Sequence, residues 1–252
     1  MYKISCVKYT NSLPFIAGLK KNFSSDEIKL ELDTPADCYQ KLIDGNVDIG
    51  LVPVVALNSL KEKFFISSYG IGASGNVKSV ILATHTKLSE IKQIYLDYQS
   101  RTSVQLAQIL SRHFWKINPE FIAAEPGFVD QKIPEGAAYI VIGDRAFSFY
   151  NGDFTILDLA EEWRRFTGKH FVFATWIANK KIDEAFMKKF DLALKAGLDM
   201  RETILQDLNL SVNGVAVDLK EYFYQNINYN FGRKEREGME LFLNLLHQQK
   251  GG

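Results

Sequence analysis

The sequence predicts an α/β fold in two lobes, and three observations carry that expectation. Short apolar strands alternate with amphipathic helices from residue 2 onward. That order implies sheets of parallel strands, with ligands at the strands' C-terminal ends. The alternation falls into two blocks separated by long strand-like segments, and from residue 183 the chain reads as almost entirely helical. A helical tail of that kind packs best against the first block. The expected division is therefore residues 1–83 with 175–252 in a first lobe and residues 84–174 in a second. The chain would cross between them near Leu82–Thr84 and near Ala174–Trp176. Two crossings make a hinge and a cleft, where small ligands prefer to bind. The competing arrangement is one open sheet in a single domain.

Taken in order, residues 2–8 (YKISCVK) read as a strand. Asn11 and Ser12 then turn the chain into a helix over about 14–23, because a polar residue ahead of a first-turn proline starts helices. Residues 28–33 alternate as a strand. Thr34, Pro35 and Asp37 open the next helix as cap, first helical residue and favourable charge, and Gly45 ends it. Residues 48–52 form a buried strand cut by Pro53. FFISSY, the glycine-rich GIGASG and the branched NVKSVILAT follow. The rhythm then restarts: strands at 94–97, 121–124 and 137–144, helices at 100–115 and 159–168, and a strand at 170–178. Gly197 is expected to break the first tail helix.

Composition excludes several classes. With 46% hydrophobic residues in a chain of 252, there is enough apolar surface for one large core or two smaller ones. Thirty basic residues balance thirty acidic ones. The basic excess that neutralises nucleic-acid phosphates is missing, so no nucleic-acid partner is expected. No apolar run reaches the length of a membrane span, and residues 1–15 lack the pattern of a secretion signal. A cytoplasmic location away from membranes is expected. Cys6 and Cys38 read as reduced, buried thiols. His85, His113, His170 and His247 are scattered, and no Cys/His cluster has metal-ligand spacing, so no metal is expected.

Several loops could bind a ligand. Gly70–Gly75 matches GxGxxG, but a dinucleotide site needs a helix starting inside it, and a strand-like run follows instead. The remaining readings are a loop whose backbone, at Gly72, approaches a ligand closely, or a plain turn. Asn11 and Ser12 stand at a strand-to-helix junction, where free N–H groups take an anion or a polar group, unless they serve only as caps. Ser100, Arg101, Thr102 and Ser103 begin a helix with three hydroxyls and a guanidinium, which suits a carboxylate; the alternative is a cap beside an exposed Arg101. Gly143 and Asp144 end a strand. Asp144 could hold a substrate hydroxyl or pair with Arg145. Phe171, Phe173 and Trp176 read as core and hinge rather than a stacking platform.

Together YTNSLPF, DIGLVPV, YGIGASGNVKSVIL, SRTS, IGDRA and LAEEWRRFTGKHFVFATW cover most of residues 4–176. In that order they resemble the chorismate dehydratases of the futalosine route to menaquinone. The resemblance implies a type II periplasmic-binding-protein-like fold, with the helical C-terminal tail on the first lobe. It implies a hydro-lyase that converts chorismate to 3-[(1-carboxyvinyl)oxy]benzoate without cofactor. Asn11 and Ser79 match positions lining the dehydratase pocket. Asp144 is a further catalytic candidate by loop position, and Ser12, Gly72, Ser100, Arg101, Thr102, Ser103 and Gly143 are candidate substrate contacts. Two alternatives stand beside this reading: a non-catalytic binder of a small carboxylate, and the sister lyase that forms dihydroxynaphthoate.

Overall fold

The computed structural model describes residues 1–60, 62–208, 211–212, 215–216 and 218–250. The first βα rhythm comprises β1 (Tyr2–Val7), α1 (Leu13–Asn22), β2 (Ile28–Asp33), α2 (Pro35–Ile43) and β3 (Ile49–Pro53). Thr34 caps α2 as its sequence requires. Its Oγ1 accepts from the Asp37 N–H at 3.2 Å and donates to the Asp37 carboxylate at 2.6 Å. After β4 (Phe64–Ala73) the second block holds β5 (Val80–Thr84), β6 (Gln93–Leu96), α3 (Thr102–Leu110), β7 (Glu120–Ala123), β8 (Ala137–Ile142), β9 (Thr155–Asp158) and α4 (Leu159–Thr167). The chain continues through β10 (Phe171–Ala178), α5 (Glu184–Asp199), α6 (Arg201–Asp207), the short strands β11 (Ser211–Val212) and β12 (Val215–Ala216), α7 (Leu219–Glu221), β13 (Asn228–Asn230) and α8 (Arg233–Lys250).

The strands assemble into two main sheets. One has the order β13-β4-β10-β3-β1-β2, the other β7-β6-β8-β5-β9. Neither is wholly parallel. β1 runs parallel to β2 and β3, whereas β10 is antiparallel to both β3 and β4. In the second sheet β6 is parallel to β7 and β8, but β5 is antiparallel to β8 and β9. β5 and β10 are the strands on which the chain enters the second sheet and returns to the first.

The expected crossing points move. Val80–Thr84 pairs on both edges inside the second sheet, so the outward crossing lies between Ala73 and Val80 rather than at Leu82–Thr84. β10 pairs with the first sheet from Phe171, so the return falls before it rather than at Ala174–Trp176. The tail is also less helical than its composition suggests. Asn228–Asn230 adds an edge strand to the first sheet, and β11 pairs with β12. The intervening residues 209–210, 213–214 and 217 lie outside the described residues.

Gly197 does not break α5. A Cβ there would lie 1.8 Å from the Pro14 carbonyl oxygen, and one on Gly18 would lie 2.0 Å from that of Ala193. The two glycines let α1 and α5 meet backbone to backbone. Gly197→Ala should therefore destabilise the fold by overpacking, by about 1–3 kcal/mol. A urea melt would show a lowered midpoint; an unchanged midpoint would mean the helices separate without cost.

Phe171 and Trp176 are fully buried, and Phe173 nearly so. Trp176 meets Phe15 and Phe190 edge-on at 6.0 and 5.0 Å, and Phe171 meets Trp163 and Phe242 at 5.4 and 5.1 Å. These contacts sew α1, α5, α4 and α8 onto β10. Cys6 and Cys38 are buried free thiols; burial pushes the Cys38 thiol up to about 12. No helix among the described residues is long and apolar enough to cross a membrane.

Candidate active site

A cavity lies between the two sheets, at the ends of β1, β3 and β8, where Val7, Pro53 and Ile142 line it. Strand C-termini are where α/β sheets present their ligand groups. The first sheet's side supplies Tyr9, Asn11 and Ser12 from the turn before α1. The second supplies Ser79 from the turn before β5, Gly143 after β8, and Ser100–Ser103 at the start of α3. Arg101 is the one charged side chain among the described lining residues. Its guanidinium lies 4.8 Å over the ring of Tyr39. A mostly apolar pocket with one cation and several hydroxyls favours a small organic anion.

The cavity measures about 60 Å³. An apolar cavity that accepts benzene is roughly 150 Å³. The cavity as it stands is smaller than one that holds a benzene ring. Contacts across the cleft hold the lobes together. The Tyr9 hydroxyl donates to Gln99 Oε1, the Thr10 N–H donates to the Asp144 carboxylate at 3.2 and 3.3 Å, and Thr102 Oγ1 donates to the Phe173 carbonyl at 3.2 Å. Gly143 takes φ +66°, and a Cβ on it would strike the Tyr9 ring at 2.9 Å. Only glycine combines that left-handed backbone with the ring's approach.

The turn that presents Ser79 is braced from below. The Asp158 carboxylate accepts from the N–H groups of Val77 and Lys78 at 2.9 and 2.6 Å while capping α4 at Ala160 and Glu161. Lys78 is held at φ +61°, a costly conformation for a residue with a Cβ. Its ammonium pairs with Glu221 at 2.7 Å. The Ser79 carbonyl accepts from Gly143 N–H at 2.9 Å, which ties the two cavity turns together.

Eight of the ten expected site residues line the cavity: Asn11, Ser12, Ser79, Ser100, Arg101, Thr102, Ser103 and Gly143. Two do not. Gly72 is inside β4, not in a loop, and a Cβ there would meet the Phe171 carbonyl oxygen at 2.6 Å; its neighbour strand, not a ligand, demands the glycine. Asp144 is turned toward Thr10, and burial raises its carboxyl above the usual range. Arg145 pairs with Asp97 at 2.7 Å rather than with Asp144. Within the α3 start, some expected donors are already used. Ser100 Oγ accepts from the Ser103 N–H at 3.1 Å, and the Thr102 hydroxyl faces Phe173.

Over residues 2–248 the chain matches a family model described as menaquinone biosynthesis. The chain belongs to this menaquinone-biosynthesis family. Among solved structures, this family member is similar to protein AF1704 of Archaeoglobus fulgidus, at a TM-score of 0.74 and 11% identity over 99% of this chain and 97% of that one. It is also similar to the periplasmic aliphatic sulphonate binding protein SsuA of Escherichia coli, at a TM-score of 0.67 and 13% identity over 98% and 90%. A third similarity is to the Candida albicans CA3427 product, described as having the generic periplasmic binding protein fold, at 0.60 and 10% over 98% and 94%. The fold of this family member is therefore the periplasmic-binding-protein one, with the cleft between its two sheets.

Tyr9 lines the cavity without having been expected there, and two tyrosines behind the lining were missed as well. The Tyr222 hydroxyl lies 2.7 Å from Ser79 Oγ, and the Tyr229 hydroxyl donates to the Asn11 carbonyl at 2.9 Å. Both come from the C-terminal segment, in stretches with no motif of their own. Only the return of the chain as an edge strand beside β4 brings them under the cavity.

Proposed function

We propose that this chain is a chorismate dehydratase that removes water from chorismate to give 3-[(1-carboxyvinyl)oxy]benzoate. The observation that carries the reading is the cavity's chemistry. Asn11 and Ser79 converge on it from opposite sheets beside a hydroxyl-rich helix start with one guanidinium. The menaquinone-biosynthesis family supports the same reading.

In the reaction, the C–H bond at the ring carbon bearing the enolpyruvyl ether breaks, and its electron pair becomes a ring double bond. The neighbouring C–O bond breaks, and the hydroxyl leaves with a proton as water. The ring becomes aromatic, so orientation and modest polar help suffice. The Ser100 and Ser103 hydroxyls and the Arg101 guanidinium are the donors left to hold a substrate carboxylate. Asn11 and Ser79 face the ring hydroxyl as neutral donors. No described lining residue is an acid, a histidine or a lysine, so we assign proton removal to the substrate's own enolpyruvyl carboxylate, folded over the ring as an intramolecular base.

A hydrogen bond to a charged group contributes about 1.5–3 kcal/mol. Ser103→Ala should therefore weaken chorismate binding by about tenfold or more. Titration calorimetry on folded protein checks this, and wild-type affinity would remove Ser103 from the carboxylate site.

The second reading, a non-catalytic binder of a small carboxylate, rests on the likeness to SsuA. An ultraviolet trace separates them. The dehydratase changes the chorismate spectrum under multiple turnover, whereas a binder, or the sister dihydroxynaphthoate-forming lyase, leaves it unchanged.

A further inference from the structure

The polar groups around Tyr222 form a chain with a direction. The Ser12 hydroxyl donates to Asn11 Oδ1 at 3.1 Å. That fills one of the two lone pairs on the Asn11 amide oxygen. Tyr222 itself is buried behind Ser79. The phenol has a single proton, and it goes to Ser79 Oγ, 2.7 Å away. Ser79 Oγ then receives a proton from behind and must aim its own elsewhere. The Val77 carbonyl at 3.5 Å is a poor target. The cavity is the other direction. Burial pushes the Tyr222 phenol well above its usual value, so the donor stays protonated across the working range. Its ring is fixed edge-on to Phe147 at 5.0 Å.

On the dehydratase reading above, we infer that Tyr222 is a positioning residue which makes Ser79 a one-way hydrogen-bond donor to the departing hydroxyl. Tyr222 touches no substrate. It acts by filling the acceptor side of Ser79, so that the Ser79 proton meets the oxygen on which negative charge develops.

Tyr222→Phe removes the hydroxyl and keeps the ring. Steady-state kinetics on chorismate should show kcat down by about tenfold or more with KM nearly unchanged, since the missing alignment matters only as charge develops. In a Ser79→Ala background the same substitution should cost nothing further. Equal losses in both backgrounds would overturn the assignment, because a structural defect does not depend on Ser79. If Tyr222→Phe fails to fold, 3-fluorotyrosine at position 222 keeps the hydroxyl and alters its acidity; kcat must then change at constant KM, and an unchanged kcat overturns the proposal. A substrate-free measurement stands beside these. The Ser79 β-methylene couplings in NMR should report one rotamer in the wild type and averaging in Tyr222→Phe; one unchanged rotamer overturns the proposal. If the wild type leaves chorismate intact, the dehydratase reading falls, and the rotamer result alone decides what Tyr222 does.

Discussion

Replacing Asn11 with alanine should lower chorismate turnover by about a hundredfold, the scale seen when one preorganised donor is removed from an active site. The side chain lies in the 3-10 turn Thr10–Ser12 ahead of α1. Three neighbours hold that turn: Ser12 on its amide oxygen, Tyr229 on its carbonyl, and Asp144 on the adjoining Thr10 N–H. The donor is thus set in place before substrate arrives, and its loss cannot be recovered by rearrangement. Because the interaction strengthens as the ring hydroxyl departs, kcat should fall and KM should change little. Steady-state kinetics with purified variant checks this. Wild-type kcat in Asn11→Ala would show that the turn merely caps α1.

The second large effect concerns the base. Asp144→Asn should reduce turnover only modestly, since its carboxylate faces the Thr10 N–H and is outside the cavity lining. An asparagine oxygen can still accept from that N–H, so the cleft contact survives. Conversely, a chorismate analogue carrying an amide in place of the enolpyruvyl carboxylate should bind and remain unreacted. A positioned internal carboxylate has an effective concentration of about 10⁵–10⁸ M, and an amide oxygen is too weak a base to replace it. Single-turnover kinetics on the variant and binding plus turnover on the analogue decide the matter together. A loss of several orders of magnitude in Asp144→Asn at normal affinity would transfer the base to the enzyme.

Much of the site could be read from local sequence because its parts are short strand-to-helix junctions. Apolar period and capping residues locate β1–α1, β6–α3 and the end of β8, and those junctions carry Asn11, Ser100–Ser103 and Gly143 to the cavity. The errors arise where pairing partners decide. Gly72 looks like a loop glycine until β10 and β13 close on either side of it. Gly197 looks like a helix breaker until α1 is laid against it. Asp144 ends a strand that points at the cleft, yet the 3-10 turn that follows swings its carboxylate onto Thr10. Tyr222 and Tyr229 were invisible for the same reason. Their role depends on contacts across 143 and 218 residues of chain, which no local pattern encodes.

Proton NMR of chorismate incubated with a catalytic amount of the protein in deuterated water tests the central claim most directly. Dehydration in this cleft predicts that the ring signals give way to those of a meta-substituted benzoate, with both enolpyruvyl methylene protons retained and no deuterium in the ring. An unchanged chorismate spectrum at saturating, demonstrably bound substrate would contradict it and leave a closing carboxylate binder in its place.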